Sequence, residues 1–334
     1  MVKIAVDLLG SDNSLEEIVK GLYKASLIDC DIELIAFGPK EEVEELLKEN
    51  GYKGSNVKIV DANYGIKSLD NYFLELKTNK NASMARALRY IRDNDDVDCF
   101  VTTGTTGALV TGAMLYLKPL ELDGVKSSPC LAACLPNSSG RYFCILDCGA
   151  TTEVKSSDLV AFAKLGSAFI KAYQGTESPR VGLISNGSEE SKGNQLTKEA
   201  FQLLKELKIN FVGNIEGNKI TEDSCDVLVC DGFSGNIVLK NIEGTAKMLI
   251  KDLFREAKKA EIRGDIQTMD VLMKTISNLM SKYDFNSLGG STLLGVNKIV
   301  VKGHGAATSD TIVNIVKQAY VMKKNDYLGL IYNK

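Results

Sequence analysis

The sequence predicts an α/β protein with a largely parallel sheet and helices on its faces. Short apolar runs alternate with helix-length amphipathic segments, beginning with a strand at residues 3–6 and a helix at 15–26. A strand at 32–37, a helix at 38–47 and a strand at 57–60 continue this βαβαβ rhythm. Parallel strands need crossover connections of about this length, and helices usually provide them.

Length and composition are those of an ordinary globular protein. The chain has 334 residues, 44% of them apolar and 25% charged, which is enough for a single α/β unit over residues 1–334, built as one body or as two lobes. A net charge of −3 gives no support for a nucleic-acid partner. The first strand begins at residue 3, so no signal peptide is expected, and no apolar run is long enough to span a bilayer.

Cysteine usage predicts a cytoplasmic protein with free thiols. The chain has eight cysteines, which lie mostly in strand-like runs, and it contains no C-x-x-C pair. His304 is the one histidine, so no zinc-type cluster is expected. Buried thiols in a reducing compartment are the simplest interpretation.

The remaining periodic segments extend the same pattern. Residues 61–81 predict a loop with a short helix, and Ser83 is a candidate N-cap for a helix over 84–92. Arg86, Arg89 and Arg92 on that helix form either a solvated stripe or a dock for an acidic partner. Further elements are expected as a hairpin within 129–149, strands at 97–101, 181–184, 210–212, 227–230 and 298–301, and helices at 108–117, 158–172, 195–207, 237–248 and 310–322.

The loop after the strand at 181–184 has the composition of an anion site. Gly187 and Gly193 allow positive φ or a close approach of the backbone to a ligand. Free N–H groups at the start of the next helix lie beside Lys192, which supplies a mobile positive charge. The alternative is an ordinary strand-to-helix connection with a solvated lysine.

Similar loops recur along the chain. Five strands are followed by loops rich in Gly, Ser, Thr, Asn or Asp, including those at 102–107, 231–236 and 303–309. In a parallel sheet such loops meet along the carboxyl edge, where open α/β folds bind ligands. The repetition therefore predicts a shared active site at one edge of the sheet.

Residues 245–290 fall outside the βα rhythm and predict a protruding helical hairpin. An apolar stripe flanked by Lys and Arg precedes Gly264, and a Met-rich apolar stripe follows it. We expect these faces to pack on the body of the protein or on a second subunit. A basic, Met-rich hairpin is also suited to a membrane surface or an acidic partner.

Several common catalytic patterns are absent from the sequence. It has no G-x-x-x-x-G-K-[ST] and no G-x-S-x-G, and the G-x-G at 303–305 lacks the rest of a dinucleotide fingerprint. Cys148 and Cys230 lie in strand-like runs, so burial is more expected for them than catalysis. The absence of these catalytic nucleophiles fits a reaction in which the substrate itself supplies the nucleophile.

Seven short blocks of residues occur in order along the chain. They are Asp12-Asn13, T-G-T-T-G-A-L at 103–109, L-D-C-G-A at 146–150, E-E-S-K-G-N at 189–194, N-I-E-G at 214–217, D-G-F-S-G-N at 231–236 and His304-Gly305. With these blocks the chain resembles the bacterial phosphate acyltransferases of the PlsX type over essentially its full length, with departures at Thr105, Thr151 and Ala306. The resemblance implies a three-layer α/β/α sandwich, similar to isocitrate and isopropylmalate dehydrogenases and to phosphotransacetylases, and a homodimer.

The resemblance also implies an activity. Such enzymes transfer a fatty acyl group from acyl carrier protein to inorganic phosphate, without metal or organic cofactor. The acyl phosphate feeds phospholipid synthesis, which implies a downstream membrane glycerol-phosphate acyltransferase and a peripheral position at the inner face of the membrane. The alternatives are a phosphotransacetylase-like enzyme that uses acyl-CoA and a non-catalytic, membrane-associated scaffold.

The expected site follows from the loops and from the resemblance together. Lys192 and Asn236 are the predicted catalytic residues, one supplying charge and the other an amide donor at the reacting centre. His304 is expected at the rim. The predicted substrate-binding residues are Asp12, Asn13, Gly104, Thr105, Thr106, Gly107, Gly193, Asn194, Asp231, Gly235 and His304.

Overall fold

The computed structural model describes residues 1–67, 71–283 and 289–332, which form a mixed α/β fold around a large sheet. Part of the segment 61–81 and part of the predicted hairpin 245–290 therefore lie outside the described residues. The strands are β1 Val2–Asp7, β2 Ile32–Gly38, β3 Val57–Asp61, β4 Cys99–Thr102, β5 Glu121–Leu122, β6 Val125–Lys126, β7 Cys130–Pro136, β8 Tyr142–Leu146, β9 Arg180–Ser185, β10 Asn210–Glu216, β11 Val227–Val229, β12 Ser291–Leu294 and β13 Ile299–Lys302.

The helices confirm most of the predicted helical segments. A short 3-10 turn follows β10 at Gly217–Lys219. The α-helices are α1 Leu15–Ala25, α2 Lys40–Glu49, α3 Tyr72–Thr78, α4 Ser83–Asp93, α5 Thr106–Tyr116, α6 Ser156–Gln174, α7 Gln195–Lys205, α8 Gly232–Ile262, α9 Ile266–Lys282, α10 Ser309–Lys324 and α11 Tyr327–Tyr332.

Two parallel groups of strands make up most of the sheet, in the order β10-β9-β11-β8-β7-β12-β13-β4-β1-β2-β3. The strands β10, β9, β11 and β8 are parallel to one another, and so are β13, β4, β1, β2 and β3. The three pairings between these groups, β8 with β7, β7 with β12 and β12 with β13, are antiparallel. The prediction of a largely parallel sheet is therefore confirmed.

The antiparallel centre overturns one expectation about the loops. Three successive reversals make the two parallel groups run in opposite directions, so their carboxyl ends lie at opposite ends of the sheet. The loops after β1, β4 and β13 share one end, and those after β9 and β11 share the other. The expectation of one common carboxyl edge is wrong, because β7 and β12 break the parallel rhythm.

The core is divided in two by the sheet. On one face, α1, α6 and α10 pack against β-strand side chains such as Ile4 and Val6. On the other face, α4, α5 and the first turns of α8 pack against side chains such as Ala5 and Phe100. Successive residues of β1 thus enter opposite cores, as the twofold alternation of a strand requires. Helices on both faces agree with the layered α/β/α expectation, and the likeness to dehydrogenases stays a prediction.

Helix starts follow the sequence signals, with one correction. Ser14 caps α1 by accepting a hydrogen bond from the Glu17 N–H. Ser83, the predicted cap of the next helix, is instead the first residue of α4, and Ala82 holds the cap position. The Ser83 hydroxyl donates to the buried Asp7 carboxylate at 2.5 Å. A long-range partner has therefore replaced the local one.

Helix α8 begins five residues earlier than the predicted residue 237 and continues unbroken to Ile262. Gly264, at φ 72°, separates it from α9, and the two helices pack against each other. Apolar side chains remain exposed on both helices, among them Met248, Leu249 and Val271. The position of this pair at a dimer or membrane interface stays a prediction, and no α-helix of the described ranges has the length and apolarity of a membrane span.

A buried carboxylate fixes the loop after β8 to the centre of the sheet. Asp147 is fully buried, and its Oδ1 accepts hydrogen bonds from the Leu131, Gly149 and Ala150 N–H groups at 2.8–2.9 Å. Its Oδ2 accepts one from the Thr151 N–H at 2.6 Å. Burial raises the pKa of this carboxyl, and the backbone donors oppose the shift. One side chain thus satisfies backbone groups of both β7 and the 147–151 turn.

Removing this carboxylate should destabilise the protein. Asp147→Ala leaves buried N–H groups without partners, at a cost on the order of 1–3 kcal/mol for each. Asp147→Asn keeps one carbonyl oxygen as an acceptor and should therefore lose less. Urea denaturation measures the free energy of unfolding of both variants. An Asp147→Ala protein as stable as the unaltered chain would contradict this role.

Candidate functional site

A cavity of about 150 Å³ lies over the centre of the sheet, where β7 and β12 separate the two parallel groups. Its apolar floor consists of Leu131, Ala133 and Leu135 from β7. The start of α5, the first turns of α8 and the loop after β13 form its walls. The cavity is therefore bounded by elements from both halves of the sheet.

Three of the predicted site residues line this cavity: Thr106, Asn236 and His304. Thr106 is the first residue of α5, which Thr105 caps by accepting from the Ala108 N–H. Asn236 lies in the second turn of α8, and the cap of that helix is Asp231, which accepts from the Ser234 N–H at 2.8 Å. Thr105 and Asp231 thus have capping roles that position the residues behind them.

The loop after β1 is tied to the loop after β13. The Asp12 N–H donates to the Gly305 carbonyl oxygen at 2.8 Å, and the Asn13 side-chain amide donates to the Ala307 carbonyl oxygen at 2.6 Å. These contacts bring Asp12 and Asn13 next to His304. Their direct part in substrate binding stays a prediction.

Three glycines of the predicted substrate-binding set allow neighbouring elements to pack closely. A Cβ at Gly104 would lie 2.5 Å from Cε of Met84, and one at Gly107 would lie 2.5 Å from the Tyr72 ring. A Cβ at Gly235 would lie only 1.9 Å from the Asp147 carbonyl oxygen. Gly235 therefore lets α8 rest on the 147–151 turn, which carries Asn236 to the cavity wall.

The loop between β9 and α7 is ordered by its own contacts. The Gly193 N–H donates to the Asn186 side chain at 2.8 Å, with Gly193 at φ 103°, and Asn194 caps α7 by accepting from the Thr197 N–H. Lys192 is exposed, and its stem lies against Gly187. Lys192 is not among the residues that line the cavity, and its catalytic role stays a prediction.

Two lysines that the sequence analysis did not select line the cavity. Lys302 is the last residue of β13, and Lys240 lies one turn after Asn236 on α8. Signals for both existed in the sequence. Lys302 is the one charged residue of an apolar strand, two positions before His304, and the i, i+4 spacing puts Lys240 on the same helix face as Asn236.

Electrostatics in the cavity favour an anion. Partial burial lowers the pKa of Lys302, and the Lys240 charge lowers it further. Partial burial also lowers the pKa of His304, and the charges of Lys302 and Lys240 add to this effect. In both cases burial is the larger cause of the lowered pKa, and the neighbouring positive charges add to it. A bound anion would offset these charges.

The cysteines of the site are not activated. Cys148 and Cys230 are buried, and burial raises the pKa of both thiols, which disfavours the thiolate that a nucleophile needs. All eight cysteines are free, as predicted. Within the described ranges, no group of three His, Cys, Asp or Glu side chains could hold a metal ion.

A family model and individual related proteins place the chain in the same family. The family model described as fatty acid synthesis protein matches residues 2–328. The chain is 36% identical to the phosphate acyltransferase of Clostridium perfringens over 329 residues, covering 98% of this chain and 95% of that protein. It is 37% identical to the phosphate acyltransferase of Clostridium novyi over 333 residues, covering 99% and 97%.

Solved structures with the same fold are phosphotransacylases. A phosphotransacetylase from Streptococcus pyogenes has a TM-score of 0.60 at 18% identity, covering 98% of this chain and 94% of that one. A branched-chain phosphotransacylase from Enterococcus faecalis has a TM-score of 0.57 at 13% identity, covering 96% and 99%. At these identities the likeness concerns the fold.

The single histidine makes the charge of the cavity measurable. We expect the His304 imidazole to titrate below the ordinary value of about 6.5, because burial and two neighbouring ammonium groups disfavour its protonated form. Lys302→Met should raise the midpoint by removing one of these charges. Proton NMR of the His304 ring follows both titrations without interference from other histidines. A midpoint at or above the ordinary value would contradict this electrostatic picture.

Proposed function

We propose that this chain, which belongs to the fatty acid synthesis protein family and is a phosphate acyltransferase, takes its acyl group from acyl carrier protein. Transfer of an acyl group to phosphate follows from the family. The carrier-protein donor, the fatty chain and the metabolic use of the product are the proposed parts. The site of the reaction is the cavity over β7.

The observation that carries this proposal is that the cavity combines an apolar floor with a wall that bears two lysines and one acid, Glu243. Leu131 and Leu135 offer apolar surface to an acyl group. Lys240, Lys302 and the N-terminus of α5 at Thr106 offer positive charge to an anion. An acyl thioester and a phosphate need these two environments side by side.

The reaction needs no nucleophile from the protein. A phosphate oxygen attacks the thioester carbonyl carbon, a C–O bond forms, and negative charge develops on the carbonyl oxygen. The C–S bond then breaks, and the thiolate leaves with the electron pair and takes up a proton. Holding both reactants in position can supply on the order of 7–11 kcal/mol of the barrier.

Asn236 is the proposed donor to the developing oxyanion. It faces the cavity from α8 and lies beside Gly149, whose added Cβ would be 3.7 Å from the Asn236 side chain. A fixed donor of this kind is worth about 3–4 kcal/mol in the barrier. Lys192 is the second proposed catalytic residue, and it would have to reach the reacting groups from its exposed loop.

A basic surface is proposed to bind the acidic carrier protein. On α4, the Arg89 side chain is already engaged, since it donates to the Tyr116 hydroxyl and to the Leu76 carbonyl oxygen. The distal part of α8 carries the exposed basic residues Lys251 and Lys258. Other basic residues there, such as Arg255 and Lys259, are paired with acids of the same helix. We therefore favour residues 251–263 over the α4 stripe as the dock.

The product is proposed to enter phospholipid synthesis. An acyl phosphate is a reactive mixed anhydride, and a membrane glycerol-phosphate acyltransferase is the proposed consumer. The exposed apolar side chains of α8 and α9, including Ile262 and Val271, support a homodimer contact and a peripheral contact with the inner face of the membrane. A cytoplasmic location is part of the same proposal.

One assay tests the proposed donor and the proposed catalytic residues together. Long-chain acyl carrier protein and phosphate are supplied without metal or nucleotide, and acyl phosphate is trapped as hydroxamate. The unaltered chain should give phosphate-dependent product. Asn236→Ala should lower turnover about 100- to 1,000-fold by removing a donor to the oxyanion, and Lys192→Ala should also lower turnover strongly.

The matched control is Asn241→Ala, because Asn241 is an exposed asparagine on the same helix and should leave turnover unchanged. Near-normal turnover in both the Asn236 and Lys192 variants would refute the assignment. Product from acyl-CoA alone would point to the phosphotransacetylase-like alternative. Absence of any product would point to the scaffold.

A further inference from the structure

Lys302 has an unusual environment for a lysine at the end of a strand. It is half-buried, and within the described ranges its Nζ makes one hydrogen bond, to the Gly303 carbonyl oxygen at 2.9 Å, and no ion pair. An ammonium group carries three donors. Two donors thus remain for a ligand in the cavity.

The neighbouring charges do not neutralise Lys302. Lys240 pairs with Glu243 on its own helix, with 2.8 Å between Nζ and the carboxylate. The positive charge of Lys240 also lowers the pKa of Lys302. The Asp12 carboxylate contributes a weaker, favourable interaction from the exposed loop after β1. Two ammonium groups that share a partly buried cavity repel each other, so an anion between them would be favoured.

Building on the proposed function, we infer that Lys302 is the residue that holds the phosphate nucleophile, with Lys240 supplying the second positive charge. Lys302 keeps its protons throughout and acts by binding and orienting the phosphate. His304, two residues further along the chain, borders the same anion. The exposed Lys192 is left for a role at the thioester or at the cavity entrance.

The position of Lys302 suits this task. It projects from the end of β13, which pairs with β4 and β12 on its two sides, so little backbone freedom is lost on binding. Thr106, at the N-terminus of α5, lies in the same wall. An anion at Lys302 therefore also meets the positive end of a helix that directly follows β4.

The test uses the full chain, inorganic phosphate as the probe and four proteins: the unaltered chain, Lys302→Met, Lys302→Arg and Lys208→Met. Lys208 is an exposed lysine that lines a separate, open cavity beside α6 and α11. Its replacement controls for the general effect of removing one positive charge from the protein. Phosphate titrations followed by the His304 ring resonance report binding without turnover, since a bound anion should raise the His304 pKa.

Lys302→Met should weaken this response to phosphate at least tenfold and raise KM for phosphate at least tenfold, with KM for the acyl donor nearly unchanged. Lys302→Arg should stay within a few-fold of the unaltered chain, and Lys208→Met should match it. A purely structural role for Lys302 would not separate the two KM values. If Lys302→Met does not fold, Lys240→Met carries the same test with a smaller expected effect.

The outcomes distinguish this inference from the proposed function. An active chain whose Lys302→Met variant keeps both its KM for phosphate and its His304 response would overturn the inference and leave the function intact. An unaltered chain without phosphate-dependent product would refute the function, while the NMR titration would still report on Lys302. Pantetheine 4′-phosphate provides a further arm: if it binds at His304 and inorganic phosphate does not, Lys302 holds the donor's phosphate and the inference is wrong.

Discussion

The reversal of strand direction at the centre of the sheet is the constraint on which the rest of the structure depends. Because β7 and β12 pair antiparallel with their neighbours, two parallel α/β halves face opposite ways across them. The helices α5 and α8 then cover the strands on either side and leave a cavity over β7. Asp147 secures this arrangement, since its carboxylate binds backbone groups of β7 and of the turn that supports α8.

Much of the fold could be predicted because its signals are local. Buried parallel strands are short apolar runs, and most helices start where caps and acidic first turns indicate. The strand β12 was not predicted, because Ser291–Leu294 is short and its pairing with β7 and β13 is decided by residues distant in sequence. Because β12 and its antiparallel pairing were not foreseen, all the loops were expected at one carboxyl edge of the sheet. They lie instead at its two opposite ends.

The site was harder to predict than the fold, because its arrangement depends on contacts between residues distant in sequence. The loops at 102–107, 231–236 and 303–309 each contribute residues that line the cavity, whereas the loop of Lys192 does not. Three residues of the predicted loops, Thr105, Asn194 and Asp231, are helix caps. The cations that face the cavity, Lys240 and Lys302, were missed, because a charged strand end and an i, i+4 spacing do not by themselves show which surface a lysine faces. Only the tertiary fold brings α8 and the end of β13 to the same cavity.

A crystal structure of the protein grown or soaked in phosphate tests the central claim most directly. The claim is that the cavity over β7 is where phosphate is held for acyl transfer. We predict a phosphate oxygen within hydrogen-bond distance of Lys302 Nζ, with Asn236 and His304 at the edge of the same ion. Phosphate bound in the 185–194 loop beside Lys192, with none in the cavity, would contradict it.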